Sequence, residues 1–347
     1  MAETVERLGS SRRPGCRRTT RREFLAGAAA LLVLPAGCAG GSGGASGGSR
    51  AVEHRYGVTR ISGRPRRVIS LGYQEHDALF ALGVEPVAVR YWYGDRDDVI
   101  HPWAEDEAGE ADPEILDMPF GELNFERMAA LEPDLIMGVY AGLTRDEYET
   151  LSEIAPTVAQ PAGYVNFGTP WQRATLMAGR AVGREGRARR LVSGVEGRFE
   201  EARREHPRFD GATVAVIGVG DGLFYLYSTV DRSVQFFTSL GFGLTEEAAR
   251  IAPENRYYVE ISEEQLGLAD ADVLVCFCAS PADERRIRSN RLFRRLDAVR
   301  EGRVVYLSEN DDPLKGALSF NTVLSHPYLL ENFVPRLAGM VRRARRG

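Results

Sequence analysis

Twice along this chain, short apolar segments alternate with helical ones, and that rhythm leaves few folds open. The first block starts with Arg67-Val68-Ile69-Ser70-Leu71, a short buried-strand pattern. A helical pattern from Glu75 to Leu82 follows and stops at Gly83, and Pro86-Val87-Ala88-Val89 reads as a second strand. A helix over Asn124 to Leu131 then leads into Pro133-Asp134-Leu135-Ile136-Met137-Gly138. The rhythm restarts at Thr213-Val214-Ala215-Val216-Ile217-Gly218 and runs through Asp272-Val273-Leu274-Val275 and Arg303-Val304-Val305-Tyr306-Leu307. Strands alternating with helices imply α/β layers built on largely parallel sheets. Between the blocks, Trp171 to His206 is rich in Arg, Ala, Leu and Glu and predicts two helices with a break near Gly183–Gly186. A second helix of about 18 residues would span about 27 Å, the height of one lobe. The expected arrangement is lobe, rigid strut, lobe.

The chain opens on an export signal. Thr20-Arg21-Arg22-Glu23-Phe24-Leu25-Ala26 is a paired-arginine motif, followed by an apolar run from Gly27 to Leu34 and then Pro35-Ala36-Gly37-Cys38. A charged region, a short apolar region and small residues before a cysteine describe a signal peptide over residues 1–37. The apolar run is too short to span a hydrocarbon core, which takes about 20 residues. Residues 38–50 read as a Gly/Ser-rich tether. Its Gly40-Gly41-Ser42-Gly43-Gly44 matches the serine-hydrolase elbow in letters only, because the strand and helix that an elbow needs are missing. The remaining segments divide into an N-terminal lobe at 51–170, connecting helices at 171–206 and a C-terminal lobe with a closing helix at 207–347.

Charge and cysteines narrow the function. The signal carries seven arginines against Glu3, Glu6 and Glu23, so the whole-chain charge of −5 becomes −9 for residues 38–347. An acidic balance argues against a nucleic-acid partner. Cys276 and Cys278 are one residue apart on an apolar strand; they point to one face, do not bridge, and read as core thiols.

In order and spacing, a series of segments resembles the substrate-binding components of iron–siderophore ABC importers. Arg67-Val68-Ile69-Ser70-Leu71 with Ala81-Leu82-Gly83-Val84-Glu85-Pro86-Val87-Ala88-Val89 is similar to that family's opening strand–helix–strand. Leu123-Asn124-Phe125-Glu126-Arg127-Met128 through Pro133-Asp134-Leu135-Ile136 resembles its second signature, and Ile154-Ala155-Pro156-Thr157-Val158 follows in place. Ile261-Ser262-Glu263-Glu264-Gln265-Leu266, Ala269-Asp270-Ala271-Asp272-Val273-Leu274 and Leu296-Asp297-Ala298-Val299-Arg300-Glu301-Gly302-Arg303-Val304-Val305 complete the match over residues 65–340. The resemblance implies two Rossmann-like lobes joined by one long backbone helix, with the ligand held between them. It also implies an ABC permease partner met by rim acids, which here fall on Glu126 and Glu264, with Glu263 as a substitute. Cys38 matches the lipid-modified cysteine of the bacterial lipobox, although Pro35 departs from that pattern. The implied protein is extracytoplasmic, exported by the twin-arginine route, membrane-anchored and monomeric.

Ligands of open α/β sheets sit outside the carboxyl ends of strands. Applied here, that rule selects Tyr73 after the first strand, Arg90 and Trp92 after the second, Tyr140 after Met137-Gly138, and Tyr225 and Arg232 after Ile217-Gly218. Tyr225 and Tyr227 alternate with Leu226, and one of the two is expected to face the cleft. Aromatic faces pack an apolar scaffold, hydroxyls reach polar atoms, and arginine presents a planar fork to chelate oxygens. Aromatics outnumber cations, which favours a ferric hydroxamate over a strongly anionic catecholate. Ser319 and Asn321 are further candidates for the cleft.

No cofactor is expected. The five histidines are scattered, and His76 alone is placed to reach the cleft, too few for a bare-metal site. Heme, cobalamin, carboxylate chelates and a bare metal ion remain alternative ligands. An exported hydrolase is the competing class, but adjacent Ser325-His326 project apart and cannot act as nucleophile and base. An enzyme is not expected.

Overall fold

The computed structural model describes residues 48–92, 99–119, 121–251, 256–308 and 312–344. From Ser46 onward the chain forms one compact unit. The expected signal, Cys38 and most of the tether lie outside the described residues.

A small antiparallel hairpin, β1 (Arg50–His54) with β2 (Gly57–Ile61), precedes the first large sheet. That sheet contains β3 (Val68–Ser70), β4 (Ala88–Arg90), β5 (Glu114–Leu116), β6 (Leu135–Gly138) and β7 (Thr157–Ala159). Its order is β5-β4-β3-β6-β7, and every pairing is parallel. Parallel sheets are covered on both faces, which is why β3, β4, β6 and β7 are buried throughout. The chain moves from β3 to one edge and returns to β6 on the other side. A crevice therefore opens beyond the carboxyl ends of β3 and β6.

The second sheet contains β8 (Val214–Gly220), β9 (Leu223–Tyr227), β10 (Tyr258–Ile261), β11 (Val273–Cys278) and β12 (Val304–Leu307), in the order β10-β9-β8-β11-β12. β8, β11 and β12 are parallel, but β9 runs against both of its neighbours. The reversal is made at Asp221-Gly222, with φ of 49° and 79°. Positive φ at both turn positions is what a type I′ hairpin requires, and Asp-Gly supplies it at low cost. Cys276 and Cys278 are free and buried on β11.

Two helices, Trp171–Ala181 and Glu185–Glu205, form the strut. The first ends in a Schellman motif: Gly183 has φ 71°, its N–H donates to Arg180 O at 3.3 Å, and Arg184 N–H donates to Gly179 O at 2.6 Å. A Cβ at Gly179 would lie 2.3 Å from the Ala188 Cβ, so the two helices pack against each other at that glycine. The long helix has 21 residues, about 32 Å by the rise per residue. One apolar cluster runs from Val68 and Leu79 through Val195 and Phe199 on that helix to Phe236, Phe320 and Leu329. Close packing therefore continues from one lobe through the strut to the other.

Candidate ligand-binding cleft

The crevice beyond β3 and β6 faces the end of β9. Ten described residues line a cavity of about 390 Å³ there: Tyr73, Gln74, Trp92, Tyr140, Phe167, Tyr227, Asp231, Arg232, Tyr257 and Tyr258. Seven are aromatic, and the two charged residues, Asp231 and Arg232, are of opposite sign.

The wall from the first lobe is braced from behind. Tyr73 follows β3, with its ring 5.8 Å from Trp92 and 6.0 Å from Phe167. The Arg90 guanidinium lies 4.7 Å from the Tyr73 centroid and donates to the carbonyls of Pro119 at 3.0 Å and Glu122 at 3.2 Å. Arg90 is buried and is not among the residues that line the cavity; it backs Tyr73 instead. Burial lowers its pKa, opposed by Tyr73 and more distant carboxylates. Tyr140 follows β6, and its hydroxyl donates to Thr169 O. Its N–H donates to Glu75 Oε1 at 2.8 Å. Burial raises the Tyr140 pKa, so the phenol remains protonated.

The opposite wall comes from a sheet edge. Tyr225 and Tyr227 are two residues apart on β9 and share a face. Tyr227 lines the cavity, while Tyr225 stacks edge-on against Tyr258 at 5.0 Å in an adjoining outer groove of about 960 Å³. Tyr227 pairs with Tyr258 across β9 and β10, and Ser228 N–H donates to Tyr257 O at 2.8 Å. This antiparallel step sets residues that precede a strand beside residues that follow one. A search of strand carboxyl ends alone therefore misses Tyr257 and Tyr258. Arg232 opens the helix Arg232–Ser239, with its guanidinium 5.1 Å from the Tyr140 centroid.

A polar seam joins the lobes at the base of the cleft. Arg232 donates to Gln74 Oε1, and Gln74 Nε2 donates to Ser319 O at 3.2 Å. Asp77 Oδ2 accepts from Trp103 Nε1 at 2.8 Å and from the Thr322 hydroxyl. Asn321 is buried and left-handed at φ 53°, and its Nδ2 donates to Arg232 O at 2.5 Å. Neither Ser319 nor Asn321 lines the cavity. Burial pushes the carboxyls of Glu75 and Asp77 up to about 7, against the hydrogen bonds they accept.

His76 departs from expectation. It is sealed in the interior with neither ring nitrogen hydrogen-bonded, and its Nε2 lies 3.7 Å from Asp77 Oδ1. It sits on the helix Glu75–Ala81, every residue of which is buried. Burial, helped by nearby His101, brings its pKa down to about 3. Among the described residues no group of three or more His, Cys, Asp or Glu could hold a metal ion.

Neither Glu126 nor Glu264 is among the described residues that line the cavity, and they sit one on each lobe. Glu126 is exposed in the first turn of the helix Phe125–Ala130, which Asn124 caps by accepting from Arg127 N–H at 2.9 Å. Glu264 is exposed in the short 3-10 helix Glu263–Ala269, capped by Ser262. Hydrogen bonds from its own N–H and from Ser262 lower the Glu264 pKa.

Two α/β lobes on a helical strut, with an aromatic cleft between them, define a two-lobed ligand-binding protein. The family model described as periplasmic binding protein matches residues 68–310, and this chain belongs to that family. It is a binding protein rather than an enzyme. The chain is 28% identical over 272 residues to a Bacillus subtilis (strain 168) protein named "Probable siderophore-binding lipoprotein", covering 73% of this chain and 78% of that one. Its fold is similar to a periplasmic solute-binding protein of Mycobacterium smegmatis, with TM-score 0.75 and 31% identity over 85% of this chain and 99% of that one. It is also similar to PiaA of Streptococcus pneumoniae, solved with ferrichrome, with TM-score 0.71 and 26% identity over 84% and 99% of the two chains.

Proposed function

We propose that this protein captures a ferric siderophore of the hydroxamate type in the inter-lobe cleft and delivers it to an ABC permease. The observation that carries the reading is the charge balance of the cavity. Among its ten described lining residues, seven are aromatic and the only two charges oppose each other. A ferric tris-hydroxamate is neutral, since three monoanionic groups balance Fe³⁺, and such a complex needs apolar faces and a few donors. A ferric tris-catecholate carries three negative charges and would need an excess of cations. The ferrichrome bound by the Streptococcus pneumoniae protein is itself a hydroxamate, which supports the same reading.

Tyr73, Trp92 and Tyr140 pack the ligand from one lobe, and Tyr227, Tyr257 and Tyr258 from the other. Arg232 offers its fork to the chelate oxygens, Arg90 holds Tyr73, and Tyr225 extends the apolar surface outward. Glu126 and Glu264 are the contacts offered to permease arginines. In this reading residues 1–37 direct twin-arginine export, and lipid-modified Cys38 holds the monomer at the outer face of the cytoplasmic membrane. Tryptophan-fluorescence titration with ferric hydroxamate, ferric catecholate, heme, cobalamin and zinc tests the ligand. Saturable quenching by the hydroxamate, with none from its iron-free form, supports the proposal; preference for any other member of the panel overturns it.

A further inference from the structure

Charge on this chain is unevenly placed. Residues 38–347 carry −9, yet residues 171–190 hold six arginines (Arg173, Arg180, Arg184, Arg187, Arg189 and Arg190) against Glu185 alone, a net +5. The rest of the strut, residues 191–206, has three arginines against four glutamates, a net −1. All six arginines of the first stretch are exposed. Arg173, Leu176, Met177 and Arg180 recur at helical spacing, and with Val52 and Arg189 they line an open groove of about 480 Å³. The groove thus has an apolar floor and cationic rims. Its acids are Glu53 and Glu185, and Glu185 is shared between Arg189 at 2.7 Å and Arg180 at 3.9 Å. Arg173, Arg187 and Arg190 have no ion pair among the described residues.

The route by which the chain enters the fold gives this patch a partner. β1 begins at Arg50, whose guanidinium donates at 3.2 Å to the carbonyl of Ala181, the last residue of the first strut helix. The root of the amino-terminal segment is therefore fixed beside the arginines. Twelve residue steps separate Cys38 from Arg50, a reach of at most about 40 Å.

We propose that this basic patch is a second membrane contact, which rests on the anionic phospholipid headgroups of the membrane that holds Cys38. The proposal builds on the anchoring reading of Cys38 above. A short tether keeps the patch at high effective concentration over the headgroups. The net negative charge of the rest of the molecule disfavours other faces, so attraction through this patch also orients the protein. Each arginine near an anionic surface strengthens partition about fivefold, and added salt weakens it.

The test uses the chain from Ala39 onward, which lacks Cys38 and cannot be acylated. All described elements lie in the compact unit that begins at Ser46, so this chain keeps its fold. Co-sedimentation is measured with vesicles of phosphatidylcholine alone and of equimolar phosphatidylcholine and phosphatidylglycerol. The parent is expected to bind the anionic vesicles only, and less as salt rises. Combined Arg173→Gln, Arg180→Gln and Arg189→Gln is expected to lower that partition about a hundredfold. Arg204→Gln with Arg208→Gln, beyond the patch, is expected to leave it in place, and matching thermal melts establish that each variant is folded. Equal binding to both vesicles, binding to neither, or a triple variant that partitions like the parent would overturn the proposal. Anchoring is read separately, from the mass of the membrane-extracted full chain, so either idea can fail without the other.

Discussion

The two walls of the cleft are built differently. The first lobe presents Tyr73 and Tyr140, only 7% and 3% exposed, each held by groups behind it: Arg90 under Tyr73, and the Glu75 carboxylate and Thr169 carbonyl on Tyr140. The second lobe presents Tyr258 at 48% exposure on the edge strand β10, beside Tyr227 on β9. One wall is a braced floor on an all-parallel sheet; the other is the margin of a mixed sheet. A braced wall fixes ligand orientation with little ordering cost, whereas an exposed wall has side-chain freedom to lose on binding. Damage to the first should therefore appear as lost stability, and damage to the second as lost affinity.

The largest expected effect is at Gly72. A Cβ there would lie 1.9 Å from Glu75 Oε2, so Gly72→Ala must displace the carboxylate that accepts from Tyr140 N–H. Chemical denaturation should show a loss of about 3 kcal/mol; an unchanged midpoint would remove the brace from the account.

Next comes the pH dependence of Glu75 itself, set by its burial and opposed by the hydrogen bonds it accepts. Glu75 is raised from 4.5 to about 7 by burial, so the folded state holds a proton that the unfolded state releases earlier. Its stabilising contribution is complete below about pH 4.5 and is lost as pH rises through about 7, on the order of 3 kcal/mol in all. Glu75→Gln should flatten stability against pH across that window, leaving the similar slope from Asp77. An equally steep profile in the variant would show that Glu75 does not titrate there.

At the other wall, Tyr258→Ala should leave the melting temperature within about a degree or two, as for most exposed substitutions. Affinity for the ferric chelate should nevertheless fall about tenfold. If stability fell instead, the contrast between the walls would be wrong. The smallest effect on the purified protein belongs to Glu126→Ala with Glu264→Ala. Both residues are exposed and outside the cavity, so ligand affinity should not change while iron uptake by cells is lost.

The same contrast explains what could be read from the sequence. The first lobe obeys a single rule, residues after parallel strands, and that rule finds Tyr73, Trp92 and Tyr140 from apolar runs and their ends alone. It also selects Arg90, because a strand's last residue looks alike in sequence whether it enters the cleft or turns behind it. Phe167 escapes the rule because it sits in a loop before the strut, in a left-handed conformation at φ 63° and packed over Gly142. In the second lobe the rule weakens. Asp221-Gly222 carries the hairpin signal, which marks β9 as antiparallel and brings the start of β10 to the cleft. Followed through, that dipeptide points to Tyr257 and Tyr258, and no other local signal does. His76 shows the opposite failure: its helix is buried on every side, and burial of a polar residue leaves no periodic trace.

The measurement that bears most directly on the account is a fluorescence titration of this protein with a ferric hydroxamate and its iron-free form. Trp92 lies in the cavity lining and is 36% exposed, whereas Trp103 and Trp171 are buried at 7% and 8%. Saturable quenching by the ferric complex alone, largely abolished in Trp92→Phe while equilibrium dialysis still detects binding, is the predicted result. No quenching by the ferric hydroxamate, together with no retention on dialysis, would contradict the claim that this cleft is built for a neutral ferric chelate.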